Sequence, residues 1–289
     1  MTGLLFIIFS AITSVVIAHF LKIIENRSLN TVRVLTINYL VAAVSALFYT
    51  FNGQLPVADV DVLIPPFLLS VGVGVIFIAN FFIYSKSVFH NGVGISIAAM
   101  RISLIIPVLL STIGYMERLT IYQWSGILLV FVTLFLLLPN KKSIVKTDQS
   151  LSKGWLLILL FAGTGIGDAS LKYYEMEYSA WISKELFMGM VFMTAFWIGM
   201  IYILLKKNWK FTKMEIFVGI AIGVPNLLTS IFLISALELM NGAVVYSAVN
   251  LLTVLGGTLL GVLYWKDQFT TLQWMGIVLT LVAIVLLVI

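Results

Sequence analysis

Apolar runs of membrane-spanning length recur down the chain with short polar punctuation between them. They occupy 3–21, 34–51, 67–84, 93–113, 121–138, 154–173, 181–205, 214–237, 243–263 and 271–289. Runs of about 20 apolar residues suit helices crossing a hydrocarbon core roughly 30 Å thick. Barrel strands would instead show segments of about ten residues with alternating polarity. The first run has no basic region before it and no small-residue cleavage site after it, so it reads as a retained span. The polar interruptions are short: Lys22 to Asn30, then Asn52-Gly53-Gln54 with Asp59 and Asp61. Pro65-Pro66 marks an expected helix entrance, and 86–91 is expected to be a tight turn. The one long hydrophilic stretch is 139–153, with Lys141, Lys142, Lys146, Asp148 and Lys153. It reads as a linker between two halves.

The halves repeat one another. Stretch 91–127 opens on Asn91-Gly92, carries Arg101 and Pro107 in an apolar run, and continues through Glu117, Thr120, Gln123-Trp124 and Gly126-Ile127. It returns without a gap 150 positions later as Asn241-Gly242, Asp267, Thr270, Gln273-Trp274 and Gly276-Ile277. Leu21-Lys22 and Leu171-Lys172 repeat at the same offset. A register held through greasy segments that also places Asn-Gly and Gln-Trp indicates an internal duplication. The expected fold is an all-α integral membrane protein with ten transmembrane helices. They form two five-helix repeats, 1–138 and 154–289, joined by the 139–153 linker. An odd number of spans per half makes the second half enter from the opposite face. The repeats are then inverted about an axis in the membrane plane, a plan that puts the substrate site near the midplane between them.

Composition agrees and narrows the chemistry. The chain is 61% hydrophobic and 10% charged, with a mean hydropathy of +1.12, against roughly 25% charged residues in soluble domains. It cannot cover a water-facing surface. The absence of cysteine rules out disulfides, thiolate metal sites and thiol catalysis. With His19 and His90 the only histidines, a multi-histidine metal site is not expected, and no cofactor is expected either. The net charge of +5 reads as lysine-rich loops beside anionic lipid and not as a nucleic-acid footprint. The expected partners are a small-molecule substrate and the lipid bilayer of the cell (inner) membrane, for a multi-pass monomer or homodimer. Lys22, Arg27, Arg33, Lys86, the linker lysines, Lys206, Lys207, Lys210, Lys213 and Lys266 fall on one side. Asp59, Asp61, Glu117, Arg118, Glu175, Glu177 and Glu238 fall on the other. The positive-inside rule makes the lysine-rich side cytoplasmic and both termini external.

Few residues can carry chemistry in such a chain. Arg101, deep in the fourth run, would cost roughly 2.5–3.5 kcal/mol to insert. It reads as an inward-facing cation that meets an acid or an anionic substrate group, against a structural arginine satisfying helix-end carbonyls. Asp168 follows the run Gly163-Thr164-Gly165-Ile166-Gly167, which permits close backbone approach and local unwinding. Lys172 follows at i+4 on the same face. The two either neutralise each other or serve proton and substrate coupling. The glycine run lacks the preceding strand and placed lysine of a phosphate-binding loop. His19, near the end of the first run, is a candidate proton relay or an interfacial histidine. Asn80, Asn226 and Asn250 are candidates for cavity lining, with helix-to-helix hydrogen bonding as the alternative, which is also the reading of Asn38. Asn226 follows Pro225, which frees a backbone carbonyl. Tyr84 and Tyr246 either line the path or belong to the aromatic belts. Glu117, Asp267 and Glu238 fall at turns and read as caps or gates. Arg101 becomes Leu251 in the second half and Asp168 has Ala18 as its counterpart, so these candidates are the residues the duplication fails to copy.

The 91–127 pattern resembles the ten-helix, EamA-like branch of the drug/metabolite transporter superfamily. There each half ends with a helix carrying a proline or glycines, a turn with an acidic residue, and a glycine-containing final helix. Pro107, Glu117, Gln123 and Gly126 match in the first half; Gly256-Gly257, Asp267, Gln273 and Gly276 match in the second. Asp267 in place of glutamate and the missing second proline depart from the pattern. The resemblance implies secondary transport of a small metabolite such as an amino acid, often efflux, by a protein that is not an enzyme. It also implies cytoplasmic termini, against the loop charges. The alternatives are a passive channel or lipid-head-group translocator, and an intramembrane enzyme. Channels usually carry rings of charges or carbonyls, and an enzyme needs a catalytic constellation; the single, unsymmetrical polar residues here suit neither.

Overall fold

In a hydrocarbon core each backbone N–H and C=O must find its partner within the protein, and a helix supplies that along a single segment. The computed structural model describes residues 1–51, 60–137, 153–265 and 271–289, and among these there is no strand. The helices are α1 (Thr2–Asn26), α2 (Thr31–Phe51), α3 (Val60–Asn91), α4 (Val93–Ile102), α5 (Ile105–Leu109), α6 (Ile121–Leu137), α7 (Gly154–Tyr178), α8 (Lys184–Leu205), α9 (Lys213–Leu237), α10 (Gly242–Leu263) and α11 (Thr271–Val288), with a π-turn at Leu110–Gly114. Nine helical stretches among the described residues, Ile95–Gly114 counted as one, are long and apolar enough to cross a membrane; Ile121–Leu137 is apolar but shorter. The chain is a multi-pass helical membrane protein.

Several expected boundaries move, each for a local reason. Residues 86–91 are not a tight turn. They hold no glycine or proline, so α3 runs on to Asn91 and stops at Gly92, whose φ of 85° suits glycine alone. Pro65 and Pro66 lie inside α3, which starts at Val60, and not at its entrance. The fourth run is not one helix. Pro107 has no N–H for the Ser103 carbonyl, which takes the Ile106 N–H at 2.9 Å instead. Beyond it, Tyr115 N–H reaches the Leu110 carbonyl at 2.9 Å, the wide turn of a π-helix. The glycine run of α7 does not unwind; that helix is continuous from Gly154 to Tyr178. The 52–54 loop, Asp59, the linker lysines Lys141, Lys142 and Lys146, Asp148, Lys266, Asp267 and Thr270 lie outside the described residues.

Helices α2 and α8 form the centre, where Ala42, Ala43, Ala46, Met188, Val191 and Phe192 are sealed from solvent. Around them the packing repeats on exchange of the halves. Helix α1 lies on α9 and α10, while α7, its counterpart, lies on α3 and on the α4–α5 segment. Helix α2 lies on α9 and α8 on α3, and α6 lies on α11. The last pair is reciprocal to the atom. A Cβ at Gly126 would meet Leu287 Cγ at 3.0 Å, and one at Gly276 would meet Leu137 Cγ at 2.9 Å. Lysines and arginines predominate at one end of the bundle and carboxylates at the other. Arg33 pairs with Glu215 at 2.7 Å at the lysine-rich end, where Thr212 and Glu215 form a capping box on α9. Lys184 pairs with Glu238 at 2.7 Å at the acidic end.

Candidate functional site

The break in the fourth run gives α4 a short last turn, and Arg101 stands on it. Arg101 Nη1 donates to Asn250 Oδ1 on α10 at 2.9 Å. Asn250 Nδ2 donates to the Tyr246 carbonyl one turn back at 3.2 Å. The buried Tyr246 hydroxyl donates to the backbone carbonyl of Asp168 on α7 at 2.6 Å. Three helices are thus tied through one polar chain. A guanidinium has five N–H donors, and this single bond is what Arg101 makes among the described residues. Arg101 is half-buried and its other nitrogens are not sealed off. Asp168 and Tyr84 lie within electrostatic reach of it, yet Arg101 and Asp168 form no contact ion pair among the described residues. The arrangement is a cation with spare donors, a nearby unpaired carboxylate and a phenol, inside an apolar bundle.

Asn80 lies one turn before Tyr84 on α3. Its Nδ2 donates to Thr164 Oγ1 at 2.8 Å, and its Oδ1 is buried without a partner. That oxygen fills the space left by Gly163, where a Cβ would stand 2.9 Å from it. The glycine run therefore serves close approach, with Asn80 on one side and Ile106 of α5 against Gly165 on the other.

Three candidates stand elsewhere. Asn226 does not join the Arg101 group: its Nδ2 donates to Asn38 Oδ1 on α2 at 3.1 Å, because Gly223 brings the neighbouring turn of α9 against Val41. Beside that pair, the Thr229 hydroxyl donates to Thr13 Oγ1 at 2.7 Å. Lys172 is not paired with Asp168. Its ammonium, 3% exposed, bridges Glu117 at 2.9 Å and Glu175 at 2.7 Å, which are 13% and 12% exposed. Two carboxylates at contact outcompete one a full turn away. His19 is ringed by Phe20, Tyr264 and Trp265, with Nδ1 buried and unpartnered, and Lys22 lies over Trp265 at 5.0 Å.

The acidic end holds a network that sequence reasoning assigned only in part. Glu117 was expected to cap or gate, and its Oε2 accepts from the Ala243 N–H at the start of α10 at 3.4 Å. Its partnership with Lys172 had no signal, since the two are far apart in the chain. Gly242 makes room for the lysine stem, as a Cβ there would meet Lys172 Cε at 3.2 Å. Nearby, Tyr115 donates to Glu177 at 3.3 Å; burial, then that carboxylate, pushes the phenol up to about 12. Among the described residues no three His, Asp or Glu side chains converge as metal ligands would.

No protein-family model matches the sequence. The fold is similar to that of a protein known from a crystal structure, with a TM-score of 0.79 over 100% of this chain and 99% of that one. At 12% identity that likeness speaks for the fold alone. An uncharacterized protein of Haemophilus influenzae is 30% identical over 288 residues, spanning 96% of this chain and 95% of its own. With that identity held along nearly the whole length of both, the chain belongs to the same family as the Haemophilus influenzae protein.

Proposed function

We propose that the protein is a secondary active transporter that moves a small polar metabolite outward across the cell (inner) membrane by alternating access, as members of the drug/metabolite transporter superfamily do. In this reading ten helices span the membrane as two inverted five-helix repeats that rock about a central site. The exchange of packing partners between halves and the reciprocal Gly126–Leu287 and Gly276–Leu137 contacts support an inverted pair. The Arg101–Asn250 bond supports a site near the axis. Asn250 is the neighbour of Leu251, the counterpart of Arg101, and near-equivalent residues of two halves meet only close to the axis that relates them.

The observation that carries the function is the guanidinium of Arg101, which makes a single hydrogen bond among the described residues with Asp168 within electrostatic reach. A guanidinium grips a carboxylate or phosphate in a two-pronged way. Asp168 is positioned to take up a proton as an anionic group occupies Arg101, which is the coupling a proton-driven cycle needs. Tyr84 and Asn80 stand along the same face of α3. Flux into proteoliposomes over a metabolite panel, with and without a proton gradient, tests this. Proton-driven flux of an anionic or zwitterionic substrate is expected. Arg101→Ala should weaken substrate binding at least tenfold and Asp168→Asn should uncouple flux from the gradient. Gradient-independent flux at channel rates would overturn the reading.

A further inference from the structure

At the lysine-rich end, α8 stops beside the start of α2 and leaves a pocket of about 350 Å³ lined by Asn30, Val32, Tyr202, Ile203, Lys206, Lys207 and Asn208. Its amide and lysine side chains offer donors. The Asn208 Oδ1 accepts from Arg33 Nη1 at 3.1 Å, and the Asn30 Oδ1 accepts from the Arg33 N–H at 3.1 Å. Both side-chain oxygens thus face donors, which fixes the amides the other way round, and neither Nδ2 donates a bond among the described residues. With the ammoniums of Lys206 and Lys207, the pocket presents donors and positive charge, and no carboxylate lines it. Glu215, which reaches Asn30 and Arg33, is engaged: Oε1 takes Arg33 and the Asn30 N–H, and Oε2 takes the Thr212 N–H.

The backbone adds a second observation. Helix α8 ends in a Schellman turn, with Lys207 N–H on the Leu204 carbonyl and Asn208 N–H on the Ile203 carbonyl, both at 3.0 Å. The left-handed position of that turn, φ 52°, belongs by conformational preference to glycine and is filled by Lys207. Strain of this kind persists where a side chain has work there. The surroundings match the edge of a bilayer: Tyr202 lines the pocket, and Trp209, 68% exposed, follows Asn208 in the chain.

We infer that this pocket binds a phosphate group, whether as the headgroup of an anionic phospholipid or as a free ion. A pocket whose lining lysines and amides offer donors and positive charge, with no carboxylate among them, suits a ligand that accepts. Two ammoniums and two amides can surround tetrahedral oxygens, and a basic pocket between helices at the positive end of a membrane protein is the place for such a headgroup. This site is separate from Arg101 and does not depend on the transport reading.

The test is native mass spectrometry of the full-length protein in detergent, titrated with dioctanoyl phosphatidylglycerol and, separately, with inorganic phosphate. One phosphatidylglycerol should saturate the wild type. K206Q/K207Q should weaken it at least tenfold, while K210Q/K213Q, which removes equal charge at the same end outside the pocket, should leave it unchanged. Lys207→Gly guards against misfolding, since it removes one ammonium while supplying the residue the turn favours; it should still lose affinity severalfold. Lipid binding without phosphate binding assigns the headgroup, and phosphate binding without lipid binding assigns the soluble ion, each supporting the site if lost in K206Q/K207Q. No binding of either probe, or equal weakening by the two double variants, would overturn it.

Discussion

At the residue scale, the outlying charges divide into one with spare capacity and one that is saturated. Lys172 is saturated, with two carboxylates at 2.9 and 2.7 Å and 3% exposure. Removing one member of a buried ionic group strands the others and costs roughly 3–5 kcal/mol. Lys172→Met should therefore lower the thermal midpoint in detergent sharply, and Lys172→Met combined with Glu117→Gln and Glu175→Gln should recover most of the loss. If the single variant melts like wild type, the network contributes nothing. Lys207 offers the opposite sign. Relieving a left-handed side chain with Lys207→Gly should raise stability by about 1 kcal/mol. Arg101 and Asp168 were legible as site candidates because a lone charge in an apolar run has few reasons to be there. The true partners of Lys172 were not legible, because Glu117 reaches it across the interface of the halves and Glu175 was read as part of a loop.

At the element scale, the Gly126 and Gly276 pair explains what the repeated glycine is for. Helices α6 and α11 lie antiparallel, and each glycine receives the leucine near the far end of the other. Helices in lipid gain by such close approach, because apolar side chains alone give no preference for protein over lipid. Gly126→Val and Gly276→Val should each lower stability by about 1–3 kcal/mol through overpacking, and by similar amounts as their contacts are reciprocal. Gly72→Ala is the control: nothing lies within 4 Å of a Cβ there, so the added methyl should be neutral or stabilise by about 0.5–1 kcal/mol. Unequal losses from the two valines, read as unfolding midpoints, would separate the halves. The helices themselves were legible from hydropathy. Their ends were not, since α3 and α7 run past their apolar cores on polar residues that nothing in the chain forbids from being helical. The break in the fourth run was marked by Pro107, while the π-turn after it had no sequence sign.

At the scale of the whole molecule, the segregated charges turn the fold into a statement about sidedness. Lys22, Arg27, Arg33, Lys86, Lys206, Lys207, Lys210 and Lys213 gather at one end of the bundle, against Asp61, Glu117, Glu175, Glu177, Glu185 and Glu238 at the other. Loop lysines and arginines close to spans resist translocation, whereas acidic residues contribute little. The lysine-rich end is therefore expected to face the cytoplasm, which places both termini outside and sets the loop-charge argument against the sidedness that the family resemblance implies. The chain offers a direct measurement because it has no cysteine. Single substitutions at exposed turns, Ala180→Cys after α7 and Lys210→Cys before α9, give one reactive thiol at each end in an otherwise silent protein. A membrane-impermeant maleimide should label Ala180→Cys in intact cells and Lys210→Cys only after permeabilisation. The reverse pattern would put the Lys172 network on the cytoplasmic side. The Lys206–Lys207 pocket would then face the opposite leaflet.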